Sequence, residues 1–471
     1  MMPALGLLYL AAVLEQHQIA VEVVPSDALN LSWADLAKKI EAERPDLVGI
    51  TTTTENRFQS FQLAQTAKAA YPQTFVVMGG PHFRVTNVDA LSHIPAIDAV
   101  VSGEAEMTLL ELVQALAAKD SLHKVNGLTF RENGRIIENP SRPLIPDLNT
   151  LPMPARHLIP WEQYHFQLEI PGQGMQPAGN LMTSRGCPFG CTFCATPANW
   201  GRNVRGLTPA NAVKEVELLV DRYHAKVLWF YDDTFNYQPQ RTEQICDLLI
   251  ERRLNVKWYC EVRVDLMTRA LTEKMAKAGM FYAGFGIESG SARVARDIIK
   301  KKATLEQAYQ FIDWALDCGV RPNPFFIFSH PTETWAEAQE TLAVIDNVKD
   351  RCEISVAISH IYPGTELERR AYAEGKLPPD FSWTKKRDKR VILLPAAQGH
   401  VPLYLDKLSW PQLCELIFRF TGAKKKLSLA RKIPAVLKNI YSWGDVGRYA
   451  ILLLVFVKFE LKKFFRFLEA V

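Results

Sequence analysis

Three cysteines in one short loop carry the clearest chemistry in this sequence. Cys187, Cys191 and Cys194 are spaced C-x3-C-x2-C within residues 182–206, close enough for their thiolates to converge on a single inorganic group. A four-iron, four-sulfur (4Fe-4S) cluster is normally held by four Cys thiolates. A loop with three therefore predicts a cluster whose fourth iron binds an exchangeable ligand, by the logic that leaves catalytic zinc one open position.

A zinc knuckle, or three unrelated buried thiols, is the competing interpretation. Zinc usually requires a fourth Cys or His in a second, paired knuckle. A lone buried Cys behaves as a small hydrophobe, so the remaining cysteines are assigned no role. They occur singly, with no C-x2-C partner: Cys246, Cys260, Cys318, Cys352 and Cys414.

The 182–206 segment resembles the cluster loop of radical S-adenosylmethionine (SAM) enzymes, in which the open iron binds the amino and carboxylate groups of SAM. The resemblance implies reductive cleavage of SAM to a 5′-deoxyadenosyl radical, which then abstracts hydrogen from an unactivated carbon. It also implies a reductant protein such as flavodoxin or ferredoxin. It identifies no catalytic residue of the protein itself.

Length and composition limit the remaining possibilities. The 471 residues predict two or three domains, and the 48% hydrophobic content is ample for large cores. Eight cysteines are too few for a disulfide scaffold in so long a chain, and the cysteine loop needs reduced thiols. We therefore expect a cytoplasmic, anaerobic setting, and no secretory signal is visible. The net charge of +4 is too small to indicate nucleic acid as a partner.

Helical and strand patterns alternate through residues 1–125 at the spacing of a flavodoxin-like, doubly wound parallel sheet. Such a unit normally opens on a strand, whereas this chain opens on a helix, so the first strand of the fold is expected to be missing. The predicted helices are 5–16, 33–43, 58–71 and 107–118, and the predicted strands are 21–24, 47–51, 75–78 and 99–102.

Residues 1–125 resemble the cobalamin-binding domain that is fused to one large branch of radical SAM enzymes. The resemblance rests on the motifs PALGLLYLAAVLE, DLVGIT, MGGPH and VVSGEAEMTLLEL. The resemblance implies that cobalamin binds where parallel strands end. Gly79, Gly80 and Gly103 would let the backbone approach the corrin ring, and His82 would contact it. The D-x-H-x-x-G motif is absent, which implies cobalt without a protein imidazole below it. A plain nucleotide-binding or structural domain is the alternative.

A connector at 126–175 leads into a second domain at 176–370. In the connector, Asn133-Gly134 supplies the positive φ angles of a hairpin turn, and a Pro-punctuated linker follows. In the second domain, six strand-like runs with intervening helices or loops predict a partial (β/α)6 barrel, the fold that the resemblance also implies. The runs are 181–183, 227–231, 256–262, 281–287, 325–328 and 354–361.

Charged residues follow several of these runs, at the barrel end where functional residues gather. The resemblance places Asp232 and Asp233 near the amino group of SAM, because a carboxylate accepts hydrogen bonds from an ammonium group. Arg263 would bind the SAM carboxylate bidentately, and Glu288 and Ser289 would complete the cofactor site. Salt bridges between barrel loops are the alternative for each charge. Glu261 and Asp265, also at the end of the third strand, are further candidates for the carboxylate and ribose.

Residues 371–471 are expected to form a helical, basic and apolar C-terminal region after a solvated loop beyond Gly375. The apolar run at 449–457 is far shorter than the roughly 20 residues that cross a bilayer. Basic residues alternating with aromatic ones suit an interfacial helix, or equally a helix packed on the barrel. The first option predicts peripheral contact with the inner face of the membrane and a lipid-like substrate.

The sequence therefore predicts a cobalamin-dependent radical SAM enzyme with a 4Fe-4S cluster, SAM and cobalamin as cofactors. Methylation of an unactivated carbon in a small or lipid-like molecule is the favoured reaction. A non-methylating relative, such as an anaerobic oxidative cyclase, is the alternative. A methylthiotransferase is rejected because no cysteine precedes Cys187. A non-enzymatic cobalamin-binding protein would not need the three cysteines.

Overall fold

The computed structural model describes residues 2–386, 388–396, 399–421, 446–447, 450–451 and 453–455. The predicted interfacial helix beyond Lys424 lies largely outside these residues. Within the described part of the chain, no helix combines the length and the apolar character that crossing a membrane requires.

The first sheet has five strands in the order β1-β2-β3-β4-β5, with β1 to β3 parallel and the last two antiparallel. Its strands are β1 (Leu47–Thr51), β2 (Phe75–Gly79), β3 (Ala99–Val101), β4 (Leu128–Glu132) and β5 (Arg135–Glu138). The helices around it are α1 (Leu5–Gln16), α2 (Trp33–Glu43), α3 (Arg57–Ala70), α4 (Asn87–His93) and α5 (Glu106–Ala118).

Helices cover both faces of this sheet, which explains why β2 is apolar at successive positions. Val76 and Met78 pack with Phe61 of α3, whereas Val77 packs on the other face with Leu110 of α5. The predicted doubly wound arrangement is therefore confirmed for the described residues.

The predicted strand at 21–24 is wrong, because no strand forms there. Val21 and Val23 pack beside Ala11 and Ala12 of α1 and Ala155 of the linker. Alternating valines can thus bury their side chains against a helix and a linker without joining a sheet.

The predicted hairpin is present as β4 and β5, joined by Asn133 at φ 49° and Gly134 at φ 75°. Because β4 pairs with β3, the hairpin extends the first sheet rather than standing apart as a connector. The domain limits of 1–125, 126–175, 176–370 and 371–471 stay predictions.

The second sheet confirms the partial barrel, with six parallel strands in the order β14-β13-β12-β11-β10-β7 and an antiparallel edge strand β6. Its strands are β6 (Gln167–Ile170), β7 (Gly174–Leu181), β10 (Val227–Phe230), β11 (Lys257–Glu261), β12 (Met280–Glu288), β13 (Arg321–Phe328) and β14 (Ser355–Ile358). Two short pairs are β8 (Ser184–Arg185) with β9 (Arg205–Gly206), and β15 (Leu393–Ala396) with β16 (Gly399–Pro402).

The first barrel strand ends near the predicted position but begins earlier, at Gly174. Its sequence GMQPAGNL is rich in residues that strands disfavour. Pairing with β6 on one side and β10 on the other makes it a strand. The helices of this half are α6 (Thr196–Trp200), α7 (Pro209–Asp221), α8 (Pro239–Glu251), α9 (Arg269–Lys277), α10 (Leu305–Asp317), α11 (Trp335–Val348), α12 (Glu366–Ala373) and α13 (Trp410–Thr421).

The segment after Gly375 is not a simple solvated loop, because it folds back onto the first domain. Trp383 is buried, and its carbonyl accepts a 2.8 Å hydrogen bond from Nε of Arg57 at the start of α3. Its backbone N–H donates to Asp89 of α4 at 2.8 Å. The chain beyond the barrel therefore helps to hold the two domains together.

The core between the barrel sheet and its helices centres on Trp258 of β11. This side chain has no exposed surface, packs against Phe230 and Phe235 at ring distances of 5.3 and 5.4 Å, and donates from Nε1 to the carbonyl of Ala278 at 2.9 Å. It joins strand β11 to the segment that follows α9.

We expect Trp258→Ala to lower the unfolding temperature strongly, because emptying a buried Trp site typically costs about 3–5 kcal/mol. The variant also leaves the Ala278 carbonyl without its donor. Thermal unfolding followed by circular dichroism measures the effect, with Trp33→Ala as the control because Trp33 is 39% exposed. Equal unfolding temperatures for the two variants would contradict this account of the core.

Candidate active site

The three predicted cluster cysteines lie on a loop whose two ends are paired. Strands β8 and β9 pair antiparallel, with Ser184 opposite Gly206 and Arg185 opposite Arg205. Gly186 opens the loop at φ 101°, and a Cβ there would lie 2.7 Å from the carbonyl oxygen of Asn203. Only glycine tolerates both this φ and this close approach.

All three thiols line one cavity of about 380 Å³ at the carboxyl ends of the barrel strands. Cys187 Sγ lies 3.7 Å from Thr234 Oγ1, and Cys194 Sγ accepts a 3.5 Å hydrogen bond from the backbone N–H of Thr196. The three are free thiols. Side chains of four barrel strands complete the lining, so the structure brings the cysteine loop and the strand ends together.

The surroundings of the thiols fit a bound metal cluster. Burial raises the pKa of Cys194 to about 11 and raises that of Cys191 above its usual value. A bound metal ion reverses this preference by stabilising the thiolate. Across the described residues, no three His, Cys, Asp or Glu side chains form a group that could hold a single metal ion. The three cysteines border the same cavity.

Asp233 and Glu261 add carboxyl groups to the cavity. Asp233 accepts a 2.8 Å hydrogen bond from Thr196 Oγ1, and burial, reinforced by Asp232, raises its pKa to about 6. Burial, followed by the charges of Asp233 and Glu288, raises the pKa of Glu261 to about 7. Burial makes the negative charge of these groups costly, so a cationic ligand would stabilise it.

Arg263 also lines the cavity, but its guanidinium is already paired. Its Nε and Nη2 each donate to Asp265 at 2.8 Å, and its Cζ lies 3.6 Å from the centre of the Phe189 ring. Arg263 and Asp265 therefore form a salt bridge, as the alternative interpretation of these charges predicts.

Glu288 lines the cavity together with Lys301, a residue that the sequence analysis missed. Lys301 Nζ lies 3.0 Å from Glu288 Oε1, and both side chains are less than a tenth exposed. A Cβ on Gly286 would overlap the Glu288 carboxylate, so glycine makes room for the pair. Lys301 belongs to the run 300–302, which the sequence presents as an ordinary solvated lysine cluster.

Two predicted site residues, Asp232 and Ser289, lie outside the cavity lining, and their cofactor contacts stay predictions. The Asp232 carboxylate accepts hydrogen bonds from Thr183 N at 3.0 Å, from Thr183 Oγ1 at 2.8 Å and from Ser184 Oγ. Ser289 Oγ is 3.2 Å from Thr341 Oγ1 behind the barrel strand. Asp233 and Glu288, by contrast, line the cavity. Glu288 lies at φ 68°, so the chain turns there instead of continuing as an extended strand.

Gly79, Gly80, His82 and Gly103 all lie at the carboxyl edge of the first sheet, as predicted. However, packing within the domain already accounts for the two glycines with positive φ. A Cβ on Gly80, at φ 105°, would lie 2.6 Å from the Thr52 carbonyl oxygen, and one on Gly103, at φ 91°, would lie 3.0 Å from Arg84 Nη1. A Cβ on Gly79 would make only ordinary contacts.

His82 is enclosed at this edge rather than presented to an open surface. It is 1% exposed, its Nδ1 lies 3.2 Å from Thr54 Oγ1, and its ring packs 6.0 Å from that of Trp383. Burial, with a contribution from Arg57, lowers its pKa to about 3. The ring is therefore neutral, and its contact with the corrin stays a prediction.

The edge nevertheless offers features that fit a large polar ligand such as cobalamin. Thr52 Oγ1 is buried with no hydrogen-bond partner among the described residues. Beyond β1, the charge of Glu55 contributes to raising the pKa values of Tyr231 and Tyr362, although burial is the main cause of both shifts. The carboxyl edge of the first sheet thus meets the barrel end that carries the cysteine loop.

Comparison with known proteins identifies both domains. Residues 181–345 match the sequence profile of the Radical SAM superfamily, and residues 1–113 match that of the B12 binding domain. An uncharacterized methyltransferase of Pyrococcus horikoshii, PH0819, is 35% identical over 385 residues, covering 81% of each chain. An anaerobic magnesium-protoporphyrin IX monomethyl ester cyclase of Rubrivivax gelatinosus is 30% identical, covering 68% of this chain and 58% of its own.

A solved structure shows the same fold. The radical SAM methyltransferase TsrM of Kitasatospora setae, determined with cobalamin and a [4Fe-4S] cluster bound, superimposes with a TM-score of 0.68 at 17% identity, covering 79% of this chain and 76% of its own. The protein therefore belongs to the radical SAM superfamily, among the enzymes that carry a B12-binding domain and use a 4Fe-4S cluster, SAM and cobalamin.

Proposed function

We propose that this enzyme methylates an unactivated carbon of a small or lipid-like molecule. The observation that carries the proposal is that three thiols line a carboxylate-bearing cavity at the barrel end that meets the carboxyl edge of the cobalamin-binding sheet. Such an arrangement lets one substrate reach both cofactors. The 35% identity to a methyltransferase over 81% of this chain supports methylation.

Cys187, Cys191 and Cys194 are proposed to hold the cluster through their thiolates, with Phe189 and Phe193 shielding it from water. When bound, the cluster supplies the electron that cleaves SAM, and cobalamin supplies a methyl group. The protein contributes position and a dry environment.

Asp233 and Glu261 are proposed to receive the cationic part of SAM, because carboxylates accept hydrogen bonds from ammonium groups. Arg263 and Lys301 offer positive charge for the SAM carboxylate, although each also holds an acidic partner. Glu288 acts through its pair with Lys301. The cavity thus offers both signs of charge to a zwitterionic, positively charged ligand.

An oxidative cyclase is the second candidate, favoured by 30% identity to the magnesium-protoporphyrin ester cyclase over 68% of this chain. Anaerobic reconstitution with iron, sulfide and cobalamin separates the candidates when small molecules are incubated with enzyme and SAM and then weighed by mass spectrometry. A product heavier by one methylene group supports methylation. An oxidised product with no added methyl group would replace our proposal with the cyclase.

The electron donor and the location are further proposals. A flavodoxin or ferredoxin is the expected reductant, in an anaerobic cytoplasm. Eleven Lys and Arg against three acids from Lys424 onward support peripheral membrane contact, because each basic residue near an anionic leaflet contributes about 1 kcal/mol. Co-sedimentation with anionic vesicles at low and high salt tests that contact. Equal binding by a chain ending before Lys424 would exclude it.

Replacing Cys191 with Ala should abolish 5′-deoxyadenosine formation, because the loop would then offer only two thiolates to a cluster that is normally held by four. Cys318→Ala is the matched control, since Cys318 is also a half-buried free thiol but lies at the end of α10. Chromatography of quenched anaerobic reactions gives the measurement. Cleavage at the wild-type rate by Cys191→Ala would refute the cluster assignment.

His82→Ala should leave the optical spectrum of bound cobalamin unchanged, because the His82 ring is 1% exposed and enclosed by Thr54 and Trp383. The measurement is the absorption spectrum of the anaerobically reconstituted protein in both forms. A spectral shift that indicates loss of an imidazole ligand would show that His82 reaches the metal and that the domain opens on binding.

A further inference from the structure

We propose that Glu104 and Glu106 are positioning residues that lock the base of the cluster loop to the cobalamin-binding domain. The inference rests on the proposed function, because it assumes that the two domains hold the two cofactors. It concerns four residues, Glu104, Glu106, Arg185 and Arg205, which we call the interdomain clamp. None of the four lines the cysteine cavity.

Glu104 is the centre of the clamp. It follows β3 at the carboxyl edge of the first sheet, and its side chain is 2% exposed. Its Oε1 accepts hydrogen bonds from Arg185 Nη1 at 3.1 Å and from Arg205 Nη1 at 2.9 Å. Its Oε2 accepts from Arg205 Nη1 at 2.9 Å and from the backbone N–H of Ile145 at 2.6 Å. One carboxylate therefore holds both strands at the base of the cluster loop.

Glu106 provides a second attachment two residues later. Its Oε1 accepts a 2.6 Å hydrogen bond from Arg185 Nη2, and both side chains are 6% exposed. Arg185 is thus held by two carboxylates from the first turn of α5 and the residues just before it. The Cζ of Arg185 also lies 5.1 Å from the centre of the Trp200 ring, so the guanidinium packs against the end of α6.

Arg205 ties the clamp to the interior of the cluster loop. Its Nη2 donates to the Trp200 carbonyl at 3.1 Å, and its Nη1 donates to the Ile145 carbonyl at 2.6 Å. The guanidinium therefore contacts α6, the linker and the first domain at once. A displacement of Glu104 would reach the cysteine loop through this residue.

Charge and burial set what the loss of one member of the clamp would cost. Two acids and two arginines balance in number, and nearly complete burial excludes water and salt from screening them. Although burial opposes ionisation, Arg205, Arg185 and the Ile145 N–H together keep the pKa of Glu104 below its usual value. Removing one partner would leave buried charge uncompensated, so the remaining groups must move.

The clamp also gives a reason for the glycine at position 103. Gly103, at φ 91°, turns the chain directly after β3, so that Glu104 points toward the barrel instead of continuing the strand. The acids at 104 and 106 belong to the segment VVSGEAEMTLLEL, in which only the glycine had a predicted role. The structure assigns the two acids a joint task, which is to fix the cluster loop against the neighbouring domain.

The test compares Glu104→Gln with wild type and with Asp98→Asn. Asp98 precedes β3 at its opposite end and pairs with Lys68 at 2.6 Å, so this control removes a carboxylate of the same domain far from the cluster loop. Each full-length protein is reconstituted anaerobically with iron, sulfide and cobalamin. Iron and cobalt contents are measured first, and electron paramagnetic resonance of the reduced cluster beside cob(II)alamin is recorded next.

We expect wild type and Asp98→Asn to show the same magnetic interaction between the two paramagnetic centres. Glu104→Gln should keep both cofactors but lose or change that interaction, and Glu104→Asp should restore it in part. The rate of methyl transfer by Glu104→Gln should fall by about 100-fold, because a misplacement of about 1 Å can have an effect of that size. If Glu104→Gln does not fold, Glu106→Gln, which breaks one contact of the clamp, gives the same comparison.

An unchanged interaction in a Glu104→Gln protein that holds both cofactors would overturn the inference. So would the same change in Asp98→Asn, because the effect would then reflect general destabilisation. A wild-type protein that takes up no cluster or no cobalamin would instead overturn the proposed function. The two failures are therefore distinguishable in the same experiment.

Discussion

Parallel strand pairing is the constraint on which the rest of this molecule depends. Six barrel strands run in one direction, so their carboxyl ends meet at one edge although they are far apart in sequence. Asp233, Glu261 and Glu288 each follow or end a different strand, and all three reach the same cavity. The three parallel strands of the first sheet likewise end at one edge. Two such edges facing each other create the space for a reaction that needs two cofactors.

Burial of charge gives this space its chemical character. Carboxyl groups in the cavity are desolvated, and the raised pKa values of Asp233 and Glu261 show what that desolvation costs. A protein without a ligand requirement would gain by replacing them with apolar side chains. Their presence is consistent with a ligand whose positive charge offsets their negative charge. In the Glu288–Lys301 pair, a lysine of the protein itself supplies the positive charge that offsets the carboxylate.

The contacts between domains are polar and come from several parts of the chain. The interdomain clamp holds the cluster loop, while Arg57 and Asp89 hold the segment around Trp383. Hydrogen bonds and ion pairs have strict geometry, unlike apolar contacts, and so they fix relative orientation as well as proximity. Orientation matters in an enzyme whose two cofactor sites belong to different domains.

The sequence by itself determined the features that depend on neighbours along the chain. The cysteine spacing predicted a loop with three converging thiols, and Asn133-Gly134 predicted the hairpin that the structure contains. Apolar runs located the later barrel strands, because a buried parallel strand is usually apolar. They located only the end of β7, whose sequence GMQPAGNL is not apolar. The motifs also identified the family, because a cluster loop and strand-end loops are local in sequence.

Only the tertiary structure decided which charged residues face the cavity and which bind the protein itself. Asp232 and Asp233 are adjacent and chemically identical, yet one is hydrogen-bonded to Thr183 and the other lines the cavity. Lys301 looks like its solvated neighbours until it is placed beside Glu288. Glu104 has no visible role until Arg185 and Arg205 meet it from 81 and 101 positions away. In each case the partner is distant in sequence, so the side chain's role is set by folding rather than by local pattern.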